Sequence, residues 1–328
     1  MRKLLLGTTA LAAAATLTTN AALADVSISG AIEWSYNSRS SNIAASDGTT
    51  FGTDSSITIG FANKTDSGLD LGYTQAIDTD GAALGNNENS LSIGGGFGKV
   101  MLGRDDGVGD NYGIAAVDLI AEETGTTGAS ATIATNSDID GMSGNNDKIA
   151  YHLPAMGGLT AGVSFMNSGA AGSADSTEYG ASYSMSAGGA AITIGASTAT
   201  TEAATQDTDS QVMGIKVSSG NITAAISQST YEAAAVAAVA GTASTTTAAR
   251  VAPISAVDQA DEESTGAAVS FKVNDGMTIT VHTAETDDGQ TTESYSNAGI
   301  EIAYTVAPGL SAYINVEDYA VSYTHLTL

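Results

Sequence analysis

Residues 26–37 have the sequence VSISGAIEWSYN, in which apolar and polar side chains alternate. If this stretch is extended, one face carries the apolar residues Val26, Ile28, Ile32, Trp34 and Tyr36. The opposite face carries the polar residues Ser27, Ser29, Glu33, Ser35 and Asn37. Because successive side chains of a strand point to opposite faces of its sheet, this alternation predicts a β-strand with one apolar and one polar face.

The same alternation recurs along the chain and predicts fifteen strands in total. The apolar positions of the others lie at 57–61, 69–73, 91–93, 100–102, 149–153, 159–165, 179–185, 192–196, 213–217, 222–226, 269–273, 277–281, 300–304 and 310–316. Tight turns such as 66–68 and 274–276 alternate with longer polar links such as 105–145 and 231–263. All tight turns then lie at one end of the sheet, which is typical of an all-β, transmembrane antiparallel β-barrel.

Charged residues also fall on the polar face of the predicted strands: Glu33, Asp70, Lys148, Glu178, Lys216, Lys272 and Glu301. A soluble β-sandwich would fill the space between its sheets with apolar side chains. A polar inner face instead indicates a lumen that holds water, so these residues are predicted to line the wall of a channel. The alternative for the same residues is the solvated outer face of a soluble sheet.

The N-terminus is typical of a signal peptide. Arg2 and Lys3 precede an apolar run over residues 4–17, and Ala22-Leu23-Ala24 supplies the small residues of a cleavage site. We therefore expect residues 1–24 to be removed and the mature chain to begin at Asp25. No later run reaches eighteen apolar residues, so the sequence predicts no helical membrane span.

The composition excludes several kinds of function. The chain has 36 acidic and 10 basic residues, with a formal net charge of -26, so we expect no nucleic-acid partner. It has no cysteine, so closure of the sheet relies on strand pairing rather than on disulfides. His152, His282 and His325 occur in no recognised catalytic motif, and we expect no enzyme activity.

Beyond the leader, the chain resembles the general porin family of Gram-negative outer membranes, especially the alphaproteobacterial group. The resemblance covers nearly the whole mature chain and rests on the start at 25–30 (DVSISG), the segment at 97–104 (FGKVMLGR) and the long loop that follows it. It implies a barrel of sixteen strands in contact with outer-membrane lipid, assembly as a homotrimer and passage of small hydrophilic solutes. It also implies that the loop after strand five folds into the lumen and narrows the pore.

That loop, at about 105–145, is far longer than an ordinary hairpin connection. By the resemblance, one side of the constriction is formed by the loop carboxylates Asp105, Asp106, Asp110, Asp118, Glu122 and Glu123. Arg104 would form the opposing wall, although its parity with Val100 and Leu102 requires a bulge or the end of the strand for it to reach the lumen. The excess of acids predicts mild cation selectivity. The same carboxylates suit calcium, but no spacing specifies a metal site, and no other cofactor is expected.

The predicted barrel occupies residues 25–319, and the pattern changes after the fifteenth strand. Residues 320–328 (AVSYTHLTL) leave no room for another long loop and a sixteenth strand. Because single-chain bacterial barrels have an even number of strands, we expect an atypical tail in place of the natural C-terminal strand.

Two other functions remain open. A secreted or surface-layer acidic β protein without channel activity would share the leader and the composition, but it would not require alternate turns to be short. An outer-membrane enzyme would need a catalytic dyad assembled in space. The sequence favours an exported outer-membrane channel for passive diffusion.

Overall fold

The structure of the protein, a computed structural model, describes residues 8–13, 25–40, 48–81, 84–120, 146–167, 175–202, 207–233, 262–287 and 293–323. These residues form one closed antiparallel barrel in which strands adjacent in sequence are paired. The strands are β1 (Thr8–Ala13), β2 (Asp25–Arg39), β3 (Gly48–Lys64), β4 (Asp70–Asp78), β5 (Gly85–Gly95), β6 (Gly98–Asp105), β7 (Asn146–His152), β8 (Leu159–Met166), β9 (Asp175–Ala187), β10 (Ala190–Glu202), β11 (Thr208–Ser219), β12 (Ile222–Ala233), β13 (Glu262–Asn274), β14 (Met277–Asp287), β15 (Glu293–Ala307) and β16 (Leu310–Tyr323). The predicted fold class is confirmed.

The barrel closes through β1, which lies in the predicted signal peptide. β1 pairs with β2 from Ile28 to Glu33 and with β16 only at Leu310 and Ser311. Each strand from β2 to β16 coincides with a strand predicted from the alternation. This arrangement tests neither the cleavable leader at 1–24 nor the missing C-terminal strand, and both stay predictions. Residues 324–328 lie outside the described residues.

The distribution of side chains is inverted relative to that of a soluble protein. Large apolar side chains face outward and are exposed, as for Trp34 (57%) and Ile226 (59%). Inward positions of the strands hold small polar residues, and Ser164 on β8, Ser210 on β11 and Thr280 on β14 are buried. An apolar outer face around a polar inner face is what a barrel in contact with lipid requires.

The short connections all lie at one end of the barrel, because they join β3 to β4, β5 to β6 and so on to β15 and β16. Gly188 and Gly189, between β9 and β10, have φ values of 58° and 84°. Positive φ at both central residues is the requirement of a type I′ hairpin, which glycine meets without steric penalty. In outer-membrane barrels such short turns face the periplasm and the longer loops face the exterior. No helix in the described ranges is long and apolar enough to cross a membrane.

Between β6 and β7 the chain enters the lumen. It forms α1 (Val108–Tyr112) and then a 3₁₀ helix (Ala116–Leu119). α1 contacts β8, β9 and β10, whereas the 3₁₀ helix contacts β12, β13 and β14. We call residues 106–120 the inward segment; the rest of the connection, 121–145, lies outside the described residues.

Candidate functional site

A buried carboxylate on the wall holds the start of the inward segment. Glu178 on β9 is only 1% exposed, and its Oε2 accepts hydrogen bonds from the Gly109 amide (3.1 Å) and from Ser164 Oγ (2.8 Å). Ser164 Oγ in turn accepts a hydrogen bond from the Val108 amide at 3.1 Å. The first amides of a helix have no partner within the helix, so these bonds satisfy donors that burial would otherwise leave unpaired. Ser197 Oγ donates to the Gly109 carbonyl at 2.9 Å.

Glycines line part of the wall where the inward segment rests on it. Inward positions of four successive strands are glycines: Gly162, Gly180, Gly195 and Gly214. The register places Gly162 opposite Gly180 and Gly195 opposite Gly214. A Cβ on any of them would lie closer than 3.0 Å to Val108, Tyr112 or Ile114. These four positions, the glycine row, therefore form the seat of the inward segment.

Tyr112 anchors α1 to the wall at a second point. Its hydroxyl group shares a 2.8 Å hydrogen bond with Nδ1 of His152 on β7, and both side chains are buried. Burial raises the pKa of the Tyr112 hydroxyl above its ordinary value, because the charged form would lose its hydration. Tyr112 is therefore a neutral hydrogen-bonding partner at physiological pH.

The 3₁₀ helix is held by hydroxyl groups on the far side of the wall. The Ala116 amide donates to Ser227 Oγ at 2.8 Å. Ser270 Oγ and Thr280 Oγ1 each donate to the Leu119 carbonyl at 3.3 Å. The inward segment thus touches the wall at intervals from β7 to β14, which fixes its path across the lumen.

Carboxylates gather where the chain leaves β6. Carboxylate oxygens of Glu88, Asp105 and Asp106 lie within 4.8 Å of one another, and we call these three residues the acidic lip. Lys148 on β7 is 5% exposed and its Nζ donates to the Asp105 carbonyl. An inward-facing cation therefore sits beside several acids at the entrance to the inward segment.

The carboxyl group of Asp106 is perturbed by its surroundings. Surrounding protein withdraws water from its carboxyl group and raises its pKa above the ordinary value, although the residue is exposed to the lumen. The charge of Asp105 raises this pKa further, Lys148 opposes the shift, and Glu178 adds to it. Asp106 is thus protonated at a higher pH than an ordinary aspartate.

A model of the family described as Gram-negative porin matches residues 7–322 of this chain. The chain belongs to the Gram-negative porin family. It is accordingly an outer-membrane channel protein for diffusion and not an enzyme. The family and the outer-membrane location expected from the sequence are confirmed.

Solved porin structures share the fold at low sequence identity. OmpT of Vibrio cholerae is 11% identical with a TM-score of 0.61, covering 93% of this chain and 100% of that one. A mutant of the Rh. blastica porin is 14% identical with a TM-score of 0.57, covering 90% and 100%. The anion-selective porin from Comamonas acidovorans is 14% identical with a TM-score of 0.52, covering 96% and 99%. A comparison with curated proteins finds no match.

Arg104 of this porin lies on the outward parity of β6. It follows Leu102 on that face and pairs with Asn89 on β5 and Asp147 on β7. The register shows no bulge at this point, and the Arg104 Nη1 atom donates to the Asn86 carbonyl at 2.9 Å. The pairings of β6 with β5 and β7 therefore contain no bulge that would turn Arg104 into the lumen, and the register shift of β5 lies in its pairing with β4.

The predicted loop acids lie at different points along the connection that follows β6. Asp105 and Asp106 belong to the acidic lip, and Asp110 follows in the first turn of α1. Asp118 lies farther along, where its Oδ2 accepts a hydrogen bond from the Ala115 amide at 3.1 Å. Glu122 and Glu123 lie outside the described residues.

The porin places all its predicted wall residues on the inward parity: Glu33, Asp70, Lys148, Glu178, Lys216, Lys272 and Glu301. They differ in environment, because Glu178 and Glu301 are each 1% exposed whereas Asp70 and Lys272 are open to solvent. Asp70 pairs with Lys64 at 2.9 Å, and Lys272 pairs with Asp275 at 2.9 Å. The hydrogen bond from Lys272 lowers the pKa of the Asp275 carboxyl group, and the lysine charge acts in the same direction.

Sequence reasoning did not identify the glycine row or the hydroxyl anchors Ser164, Ser197 and Ser227. One signal was present in the sequence: each glycine of the row falls on the polar parity of a predicted strand, where glycine permits close approach of another backbone.

Proposed function

We propose that this porin is a water-filled pore for small hydrophilic solutes and ions, narrowed at the inward segment and mildly selective for cations. The observation that carries the proposal is the acidic lip beside Asp110 on a segment anchored across the lumen. Carboxylates fixed at a narrow point attract cations and repel anions. The general fold leaves the sign of selectivity open, since the Comamonas acidovorans neighbour is described as anion-selective.

The size of the preference follows from Coulomb's law. Two unit charges 4 Å apart interact by about 1 kcal/mol in bulk water and about 4 kcal/mol at an effective dielectric constant of 20. A hydrated cation passing the acidic lip interacts with each carboxylate by an energy close to the bulk-water value, and Lys148 offsets part of the attraction. A net preference on the order of 1 kcal/mol corresponds to about a fivefold permeability ratio.

Lys148 fits the role of the cation beside the constriction acids better than Arg104 does. Lys148 faces inward and donates to the backbone of Asp105, whereas Arg104 shares its face with Leu102. We therefore assign the partial neutralisation of the carboxylates at the constriction to Lys148. The proposed constriction also includes the loop acids Asp118, Glu122 and Glu123. It includes Arg104 as a wall residue at the end of the strand that leads into the loop.

Two further parts of the proposal concern partners. The apolar outer face supports contact with outer-membrane lipid, and the trimer form recorded for OmpT of Vibrio cholerae supports a homotrimer. Calcium at the loop acids stays a prediction: the spacing within the acidic lip allows one hard cation to be shared, but exposed acids adopt such spacing without an ion.

Planar-bilayer recording under a salt gradient tests the proposal. We expect three equal conductance steps for each inserted trimer and a reversal potential of the cation-selective sign. In Asp105→Asn/Asp106→Asn, the permeability ratio should fall about two- to threefold because two lip charges are lost. The matched control is Asp318→Asn, an outward-facing acid on β16. Absence of channels would refute the pore, and an anion-selective sign would refute the selectivity.

The selectivity is also expected to depend on pH through Asp106. As the pH falls through the raised pKa of Asp106, this carboxyl group becomes neutral while ordinary aspartates, with pKa values near about 4, stay charged. The cation preference should therefore begin to decline above the ordinary aspartate range. Reversal potentials measured from neutral to acidic pH check this. In Asp106→Asn the decline should begin at lower pH, and identical profiles for the two proteins would contradict the assignment.

A further inference from the structure

The lysines of the barrel wall are concentrated at one end. Lys64 is the last residue of β3, Lys99 the second of β6, and Lys216 and Lys272 stand near the ends of β11 and β13. All four face the lumen at the short-turn mouth, according to the register. Among the described residues, Lys64 and Lys272 pair with aspartates, whereas Lys99 and Lys216 have no carboxylate within salt-bridge distance.

The opposite half of the lumen is acidic. Between the middle of the barrel and its loop end, the inward-facing acids include Glu33, Asp54 and Asp78. The acidic lip and Asp110 lie in the same half. Among the side chains that the structure describes, the inward-facing base on this side is Lys148. At the short-turn mouth, by contrast, the four lysines balance Asp25, Asp66, Asp70 and Asp275. The fixed charge of the lumen therefore changes along the pore axis from strongly negative to about neutral.

We propose that Lys99 and Lys216 make this porin a rectifying channel, one that passes more current when the loop side is positive. The inference rests on the proposed cation-selective pore. With the loop side positive, cations cross the acidic half while anions enter at the lysine end and are held back by the acids. Both ions then accumulate in the pore and conduct. Reversed voltage draws both out of the same region and depletes it.

The effect depends on the range of the wall charges. The Debye length is about 10 Å at 0.1 M salt and about 3 Å at 1 M. At the lower concentration the wall charges attract or repel ions through several layers of water, and at the higher concentration they are screened within about one layer. Rectification should therefore be present in dilute salt and vanish in concentrated salt.

Single-channel currents at equal positive and negative voltages test the proposal. The chain has no cysteine, so Ser40→Cys at the loop end, labelled from one side by an impermeant thiol reagent, reports the orientation of each channel. We expect a current ratio of about 1.5 at 0.1 M KCl, falling to about 1 at 1 M KCl. In Lys99→Glu/Lys216→Glu the low-salt ratio should fall to about 1, because the two halves of the lumen become alike in charge.

Ser219→Glu provides the matched control. It adds a carboxylate at the same end of β11 but on the outward parity, so the current ratio should keep its wild-type value. Equal currents in wild-type protein at low salt, or a ratio unchanged in the double variant, would overturn the proposal. The salt series on wild-type protein decides the matter if the double variant does not fold. Absence of any conductance would instead refute the underlying pore.

Discussion

Replacing Gly180 with leucine is expected to widen the pore, because the new side chain occupies the seat of the inward segment. A Cβ at position 180 would lie 2.7 Å from the Val108 carbonyl oxygen and 2.9 Å from Tyr112 Cβ. Neither atom can avoid it by a side-chain rotation, so α1 must leave the wall. Overpacking of this kind typically costs about 1–3 kcal/mol. We expect single-channel conductance to rise about twofold and cation preference to fall as Asp106 and Asp110 move away with the inward segment.

The control for this substitution is Gly60→Leu on β3. Gly60 also faces the lumen, but a Cβ there meets Ser27 Oγ at 2.6 Å, a hydroxyl group that can rotate away. The same side chain then adds volume to the lumen without displacing the inward segment, so conductance should stay constant or fall. Gly195→Ala, which adds one methyl group against the Tyr112 carbonyl, is a milder variant for the case in which Gly180→Leu does not fold. A conductance rise in both leucine variants would contradict the role of the glycine row.

The fold was predictable because its signal is local. In a strand, the parity of each side chain is set by its position, so the apolar Ile226 and the polar Ser227 define two faces without knowledge of any partner strand. The same rule gave Glu178 and Lys148 their inward positions and placed Arg104 on the face of Leu102. Turn lengths then gave the order of the strands, because consecutive antiparallel strands pair with their neighbours.

The site was less predictable because it depends on contacts between distant parts of the chain. Gly162 and Gly180 are ordinary strand glycines until the register brings them together beneath α1. Likewise, the sequence places Glu178 in the lumen, but its burial comes from the Gly109 amide, 69 residues away. Parity tells which way a side chain points, and only the path of the inward segment tells whether water reaches it. For this reason, one predicted wall carboxylate is an anchor rather than an exposed pore charge.

Glu178→Ala is expected to make the open pore unstable, with the current switching between two levels. The substitution removes the acceptor of the Gly109 amide and of Ser164 Oγ, and each buried donor left without a partner costs about 1–3 kcal/mol. The inward segment can recover that energy only by leaving the wall, because water then hydrogen-bonds to its amides. A shift of about 2 kcal/mol changes the ratio of seated to released states about thirtyfold. Glu178→Gln keeps an oxygen acceptor and should give a smaller effect.

Single-channel recording at high salt measures this directly, since screening then removes the effect of the lost charge on ion flow. Glu33→Ala is the matched control, because it deletes an inward-facing carboxylate of β2, which is not one of the strands that α1 and the 3₁₀ helix pack against. We expect steady current from Glu33→Ala and two-level current from Glu178→Ala. Equal noise in the two variants would show that Glu178 acts only as one more lumen charge. Two-level current confined to Glu178→Ala would mean that a single wall carboxylate, by binding the first turn of α1, sets the width of the pore.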